Sequence, residues 1–302
     1  MEKIGLALEW FPNVDHIPIL SGMNEGFFYN EDLELHVMTP VNHEAGIQLA
    51  SIGKLDFALT EPIHIPSARA KGLSIVAIGK YFETGFGIMT AGRDINSLKD
   101  LRGKKIAVSL QSHANLIVKA MLHHDSGITL SESDLEFVEA GYYLVDPLVE
   151  KKADAAFGVF ENYEMVEAKY RGLDEIKLFR FTDYGVPSYG YLVFVTSERS
   201  IRDRKEIISK FLRAIKNSVK FTLNNPQESL ERFLEALPVL NNELNRRIYS
   251  ATLRCYRDDT SLNLEEWDRL AKFANTNGLF TTNVGSKQIN GREMIADYNE
   301  RI

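Results

Sequence analysis

Apolar and polar residues alternate along the first eighty positions in a rhythm of short strands and amphipathic helices. Four apolar segments predict strands, at residues 4–8, 33–38, 56–59 and 73–78. Three segments with apolar residues at helical spacing lie between them, at residues 17–28, 44–52 and 63–70. Because parallel strands need crossover connections, this order predicts a mostly parallel sheet with helices on its faces.

The same rhythm restarts near residue 90 and then gives way to helices. Three further strands are predicted, at residues 106–109, 135–138 and 155–159, with helices at 114–124 and 145–152. A strand at 192–196 is expected to cross back to the first lobe, and four helices follow, at 207–223, 227–237, 244–255 and 264–276. We therefore expect an α/β protein in which residues 1–89 and 194–302 form one lobe and residues 90–193 form the other.

Composition narrows the class of protein. A chain of 302 residues with 44% hydrophobic and 25% charged residues is long enough for two domains of ordinary globular composition. The net charge of −7 argues against nucleic acid as a partner. No stretch approaches the roughly 20 apolar residues of a membrane-spanning helix. A single cysteine, Cys255, excludes an intrachain disulfide and is expected to be buried or half-buried in a helix.

Aromatic and polar residues follow two predicted strands of the first lobe, at the edge where parallel strands end and ligands usually bind. The candidates for ligand contact there are Trp10, Asn13, His16, Glu61 and His64. Trp10 can stack on a flat ring, while Asn13 or His16 hydrogen-bonds to the edge of that ring. The alternative is structural: Trp10 packs in the core and Asn13 closes a turn. Likewise, Thr60 and Glu61 can serve as the cap and first turn of a helix.

The second lobe offers its own set of candidates. They are Ser109, Gln111, Phe160, Glu161, Glu164 and Tyr189. Ser109 and Gln111 lie between a strand and a helix start, where free backbone N–H groups favour an anion or a carbonyl. Helix capping by Ser112 and a first-turn position for Glu164 are the structural alternatives. Across both lobes, the aromatic residues and the acids Glu61, Glu161 and Glu164 favour a neutral or cationic aromatic ligand.

Patterns for metal binding and covalent catalysis are weak. His123, His124 and Asp125 are adjacent on a predicted helix, so their side chains point apart and cannot converge on one ion. His43-Glu44 lacks the second histidine of a zinc helix, and the chain contains no Gly-x-Ser-x-Gly, phosphate-loop or Cys-x-x-Cys pattern. We expect no metal and no cofactor.

The opening segment Trp10-Phe11-Pro12-Asn13-Val14-Asp15-His16 resembles the start of the formylaminopyrimidine-binding proteins of ABC importers. The yeast-type hydroxymethylpyrimidine phosphate synthases are similar to those proteins. Five further segments fit the same resemblance, at residues 22–28, 53–58, 98–108, 183–189 and 275–279. The resemblance implies a type II periplasmic-binding-protein fold with the ligand in a cleft between two lobes. It also implies that the chain captures a thiamin pyrimidine precursor for the membrane subunits of an importer.

Within that resemblance, Phe160 matches an aromatic residue that stacks on the pyrimidine ring. Glu164 matches a carboxylate that accepts hydrogen bonds from the edge of the ring. A carboxylate suits an aminopyrimidine because it accepts from the amino group and can pair with a protonated ring nitrogen. Glu161 replaces an aromatic residue, which leaves the exact cargo open.

Two departures argue against the synthases. The resemblance places a lysine that carries pyridoxal phosphate near Thr60, and a histidine at His64. Only the histidine is present, and residues 184–191 contain no cysteine where the synthases have a Cys-rich signature. We therefore expect a carrier and no enzyme. The alternatives are a carrier of a sulfonate, nitrate or flavin-like ligand and, less favoured, a synthase-like enzyme.

The resemblance also bears on assembly and location. We expect a monomer that works outside the cytoplasm after removal of a leader, or inside the cytoplasm if Met1 is the native start.

Overall fold

The computed structural model describes residues 1–42, 44–109, 111–127, 134–188 and 191–278, and at 111–113 only the helical backbone. The chain divides into two compact units. The first comprises Met1–Glu83 and Tyr191–Asn275, and the second comprises Thr84–Gly190. Each unit contains one five-stranded sheet with helices, so the predicted two-unit α/β architecture is confirmed.

The N-terminal segment of the first unit, residues 1–83, alternates strands and helices as the hydrophobic pattern predicts. Its elements are β1 (Glu2–Ala7), α1 (Ile17–Asn24), β2 (Leu33–Met38), α2 (Ala45–Ser51), β3 (Phe57–Thr60), α3 (His64–Ala70) and β4 (Ile75–Glu83). The helix predicted over 17–28 ends early, because Gly26 adopts a left-handed φ of 73° that a continuing helix cannot contain.

The second unit contains two strands that the pattern did not predict. Its elements are β5 (Phe86–Ala91), β6 (Lys105–Val108), α4 (Gln111–Ser126), β7 (Glu136–Glu139), α5 (Asp146–Val149), β8 (Ala155–Phe160), α6 (Glu164–Tyr170) and β9 (Ile176–Arg180). The missed strands are β5 and β9, and the whole of β9 pairs with residues 87–91 of β5. Residue 89, the expected last residue of the first lobe segment, lies inside β5.

The chain then returns to the first unit and becomes largely helical, as predicted. The elements are β10 (Tyr191–Ser197), α7 (Glu198–Asp203), α8 (Lys205–Asn224), α9 (Pro226–Ala236), α10 (Glu243–Thr252) and α11 (Leu264–Thr276). Pro226 opens α9, where its missing N–H costs no hydrogen bond. Cys255 is buried, as expected. Among the described residues, no helix combines the length and apolarity that crossing a membrane requires.

The two sheets share one topology. Their strand orders are β2-β1-β3-β10-β4 and β7-β6-β8-β5-β9. In each, the strand that follows the change of unit, β10 or β5, runs antiparallel to both of its neighbours, while the others share one direction. The carboxyl ends of the codirectional strands therefore collect at one edge of each sheet, and β5 and β10 begin there. In open α/β sheets this is the edge at which ligands bind.

Aromatic packing fixes the sheet of the first unit against its helices. Phe57 on β3 stacks on Phe211 of α8 with ring centroids 4.0 Å apart, and Phe194 of β10 meets Phe211 edge-on at 5.0 Å. All three rings are buried. These ring contacts pack β10 and α8, from the C-terminal part of the chain, against β3 from its N-terminal part. They thereby fix the sheet whose carboxyl edge carries the candidate residues.

Candidate ligand-binding site

Each sheet has its own carboxyl edge, and the predicted site residues lie along them. The first-unit edge is defined here as residues 9–16 and 60–64, which follow β1 and β3. The second-unit edge is defined as Ser109, residues 160–164 and Arg180, which follow or end β6, β8 and β9.

Trp10 offers an aromatic surface at the first-unit edge. The indole is half-buried and lies against the ring of Phe11, with centroids 4.5 Å apart and planes tilted by 52°. The ring is therefore held by the chain while part of its surface stays accessible, which suits stacking on a planar molecule. Contact between Trp10 and a ligand stays a prediction.

Asn13 and His16 shape the loop that carries Trp10. The Asn13 amide accepts from the backbone N–H of Asp15 at 2.8 Å and donates to the carbonyl of Phe11 at 3.1 Å. The backbone N–H of Asn13 donates in turn to Nδ1 of His16 at 3.2 Å. Both residues are at most 1% exposed. The turn-closing role of Asn13 is confirmed, and ligand contact by either residue stays a prediction.

A buried acid that the sequence analysis missed completes this loop. Nε2 of His16 lies 3.0 Å from both carboxylate oxygens of Glu9, which is itself 4% exposed. Burial by itself lowers the pKa of His16. The negative charge of Glu9, its hydrogen bond and the charge of Asp15 together outweigh burial, so the pKa of His16 is raised. Because Nδ1 accepts from the Asn13 backbone, the proton lies on Nε2, and the interior of the loop contains an imidazole that donates to the buried carboxylate of Glu9. A carboxylate seven residues before a histidine was the only sequence signal for this pair.

Hydroxyl groups from distant parts of the first unit hold the same loop from behind. Tyr256 donates to the carbonyl of Val14 at 2.6 Å, and Tyr81 donates to the carbonyl of Asp15 at 2.7 Å. Burial raises the pKa of both phenols well above the ordinary value, so both stay protonated donors at neutral pH. The position of the Trp10 loop therefore depends on the C-terminal helical segment of the chain.

The second part of the first-unit edge is a cluster around His64. Nδ1 of His64 lies 3.1 Å from the hydroxyl of Thr60 and 3.2 Å from a carboxylate oxygen of Glu61. The hydrogen bond of Nδ1 is with the Thr60 hydroxyl, and its direction depends on the ring tautomer, whereas the contact with Glu61 is a close approach of a carboxylate oxygen. His64 also lines a shallow, solvent-open crevice with Glu44, Ile47, Ala68, Lys71 and Leu73.

This cluster bears on the lysine that the resemblance to synthases would place near Thr60. Thr60 is fully buried at the end of β3, and its hydroxyl is engaged with His64. A hydroxyl in this position cannot form a Schiff base, so the residues present do not fit pyridoxal phosphate held in the manner of the synthases.

At the second-unit edge, three phenylalanine rings form an aromatic wall. Phe160, the last residue of β8, meets Phe86 edge-on with centroids 4.8 Å apart, and Phe86 meets Phe181 at 5.0 Å. Phe160 is 8% exposed, whereas Phe86 is half-buried. The wall therefore presents the ring of Phe86 more openly than that of Phe160, and Phe86 was not among the predicted contacts.

Two carboxylates flank this wall and behave differently. Glu164, at the start of α6, is buried and accepts the backbone N–H of Phe160 at 2.8 Å. This hydrogen bond stabilises the start of α6 locally, and ligand contact by Glu164 stays a prediction. Glu161 is more open and forms an ion pair with Arg180 at 2.9 Å. Arg180 was missed in the sequence because β9, which it ends, was missed.

The remaining predicted residues are less informative. Ser109 is exposed directly after β6. Gln111 begins α4, but its side chain lies outside the description, and Tyr189 lies outside the described residues. Over the ranges that are described, no group of three His, Cys, Asp or Glu side chains is placed to hold a metal ion. His124 instead packs its ring against Gly185.

The fold defines the class of protein. The periplasmic aliphatic sulphonate binding protein of Escherichia coli has the same fold, with a TM-score of 0.74 over 98% of this chain and 97% of that chain, at 15% identity. The predicted periplasmic-binding-protein fold is therefore confirmed. The family described as "NMT1/THI5 like" matches residues 13–229, and the chain belongs to it.

The curated relatives are named for thiamine biosynthesis, for formylaminopyrimidine binding and for pyrimidine phosphate synthesis. A putative thiamine biosynthesis protein of Haemophilus influenzae is 28% identical over 95% of this chain and 91% of its own length. The formylaminopyrimidine-binding protein of Halalkalibacterium halodurans is 28% identical over 78% and 70%. A 4-amino-5-hydroxymethyl-2-methylpyrimidine phosphate synthase of Legionella pneumophila is 25% identical over 90% and 85%.

Proposed function

We propose that this protein is the solute-binding component of an ABC importer and that it captures a small planar heteroaromatic molecule, a pyrimidine precursor of thiamin. The observation that carries the proposal is the second-unit edge, where the Phe160–Phe86 pair stands beside the carboxylate of Glu164 and the ion pair of Glu161 and Arg180. Flat nitrogen heterocycles bind to aromatic faces and to carboxylates that accept from amino groups. The relative from Halalkalibacterium halodurans, named for binding such a molecule, supports the same ligand class.

The first-unit edge supports a ligand of the same kind. Trp10 supplies an aromatic face of its own, and the pair of His64 and Glu61 supplies acceptors for an amino group. The carboxylate of Glu61 disfavours a sulfonate or nitrate at this edge. Carriers of such anions and of flavin-like molecules are therefore alternative outcomes of the binding test.

We further propose that the protein is not an enzyme and has no cofactor. The hydroxyl of Thr60, bonded to His64, supports this against the synthase alternative. A carrier of this class works outside the cytoplasm, delivers its ligand to the membrane subunits of an importer, and acts as a monomer.

A ligand screen tests the proposal. The melting midpoint is measured with formylaminopyrimidine, 4-amino-5-hydroxymethyl-2-methylpyrimidine, an alkanesulfonate, nitrate and riboflavin, each in excess. Binding to the native state alone stabilises by about 2.7 kcal/mol at roughly 100 times Kd, so a pyrimidine ligand raises the midpoint by several degrees. Stabilisation by a sulfonate, nitrate or riboflavin alone, or by none of the five, contradicts the proposal.

The enzyme alternative has a separate readout. The protein is incubated with pyridoxal phosphate, and the absorbance of a lysine Schiff base is followed before and after borohydride reduction. We expect no such band and no reduced adduct on any lysine peptide. A reduced adduct on one lysine, formed in stoichiometric amount, would restore the synthase hypothesis.

A further inference from the structure

The ion pair of Glu161 and Arg180 spans the start of a strand. Glu161 follows β8 and Arg180 ends β9, and these two strands flank β5 on either side. The two side chains reach over Gly85, just before β5, where a Cβ atom would lie 2.2 Å from Oε2 of Glu161 and 3.3 Å from Nε of Arg180. The glycine leaves room for both side chains, and Glu161 also donates its backbone N–H to the carbonyl of Gly85 at 2.8 Å.

The pair lies at the edge of the sheet where ligands bind. Arg180 is in register with Gly87 of β5, and Phe86, the neighbour of Gly87, is in register with Phe160. Arg180 and the aromatic wall therefore share the carboxyl edge of the sheet. Because successive residues of a strand point to opposite faces, the guanidinium lies on the face of Gly85 and Gly87, and the rings of Phe86 and Phe160 lie on the other face. The sheet has a second Glu–Arg pair, Glu175 with Arg93 at 2.9 Å, but those residues lie at the opposite ends of β9 and β5.

Most of the donors of Arg180 remain available. In the part of the chain that the structure describes, Glu161 is the one hydrogen-bond partner of the guanidinium, through Nη2. An arginine carries several further N–H donors in a planar fork, and this side chain is 45% exposed. The carboxylate of Glu161 thus orients the guanidinium of Arg180 and leaves its other N–H groups available to a ligand.

The charges around the fork select what it can bind. Arg180 contributes one positive charge, while Glu161 and Glu164 contribute two carboxylates on the same edge. A dianionic phosphate would be repelled by these acids, whereas a carbonyl oxygen or a ring nitrogen accepts from the guanidinium without adding charge.

We infer that Arg180 is a ligand-binding residue that donates to a neutral acceptor, a carbonyl oxygen or a ring nitrogen, on the planar heterocycle. Glu161 is the positioning residue that orients it. This inference rests on the proposed function, because it names the group of the same ligand that the second unit recognises. The resemblance places an aromatic residue at position 161, and the ion pair with Arg180 gives the glutamate found there a role of its own.

Calorimetric titration of Arg180→Gln with formylaminopyrimidine tests the inference, and Arg93→Gln is the matched control. A hydrogen bond from a charged donor is worth a factor of about ten or more in affinity. We expect Arg180→Gln to raise Kd at least about tenfold and Arg93→Gln to change it less than about twofold. Melting midpoints without ligand are compared first, and titrations are run well below them.

A double-mutant cycle tests the positioning role. Because Glu161 acts through Arg180, Glu161→Gln weakens binding in the wild-type background but adds no further loss to Arg180→Gln. Additive losses would contradict this role for Glu161.

The outcomes separate the two proposals. A wild-type chain that binds no heterocycle contradicts the proposed function and this inference with it. A wild-type chain that binds, with equal Kd in Arg180→Gln and Arg93→Gln, overturns the inference alone. Tighter binding of 4-amino-5-hydroxymethyl-2-methylpyrimidine phosphate than of the unphosphorylated compound, lost in Arg180→Gln, would overturn the neutral acceptor in favour of a phosphate.

Discussion

The two carboxyl edges use polar side chains in opposite ways. At the first-unit edge, Asn13, His16 and Glu9 are buried and bonded to one another or to their own loop. At the second-unit edge, Glu161 and Arg180 are 31% and 45% exposed and pair across a strand. The first arrangement builds a rigid support for Trp10, while the second leaves donors facing outward. A polar residue after a strand therefore marks the edge of the sheet, and burial decides whether its side chain bonds to the surrounding loop or stays open to solvent.

The largest effect is expected from breaking the buried pair of the first edge. His16→Ala leaves the carboxylate of Glu9 buried without its partner, which costs about 3–5 kcal/mol of unfolding free energy. The matched control is His36→Ala, which breaks an exposed pair with Glu34 at 2.9 Å and costs about 1 kcal/mol or less. Urea unfolding measures both, and equal losses would show that the first edge is not held by its buried charges.

A moderate effect is expected from the hydroxyl that supports the loop from behind. Tyr256→Phe removes the bond to Val14, and Tyr249→Phe removes a comparable bond to the carbonyl of Pro226 at 2.9 Å. Each change lowers the unfolding free energy by about 1 kcal/mol. Only Tyr256→Phe is expected to weaken ligand binding, several-fold in Kd, because of these two hydroxyls it is that of Tyr256 that donates to the Trp10 loop. Equal Kd values for the two variants would show that the hydrogen bond from Tyr256 to the loop does not affect ligand binding.

The smallest effect is a pH dependence of the first edge. Because the pKa of His16 is raised in the folded chain, its contribution to stability is complete below the unfolded pKa of about 6.5 and is lost as the pH rises through the folded value. The loss is smaller than in His16→Ala, since the neutral ring still donates from Nε2 to Glu9. Urea midpoints between about pH 5.5 and 8.5 measure it. The slope should vanish in His16→Gln, and a wild-type slope of opposite sign would contradict the raised pKa.

Local patterning predicted those elements whose apolar periodicity is strong. β2 and α11 match their predicted bounds, and α8 and α9 differ from theirs by a few residues. β5 and β9 were missed because their partners lie far away in the sequence. The segment of β5 becomes a strand by pairing with β8 and β9, some seventy to ninety residues further on. The loss of β9 from the prediction also removed Arg180 from the candidate site.

The sequence by itself determined the order of strands and helices apart from β5 and β9, the helical C-terminal segment, and the resemblance carried by the Trp10-to-His16 motif. It also indicated where along the chain the sheet edges lie, because strand ends are a local property. Only the tertiary structure decided which side chains there are buried. The partners of the two edges come from distant positions, as when Tyr256 reaches Val14 and Arg180 reaches Glu161 over Gly85. Burial and pairing depend on such long-range contacts, which no window of sequence contains.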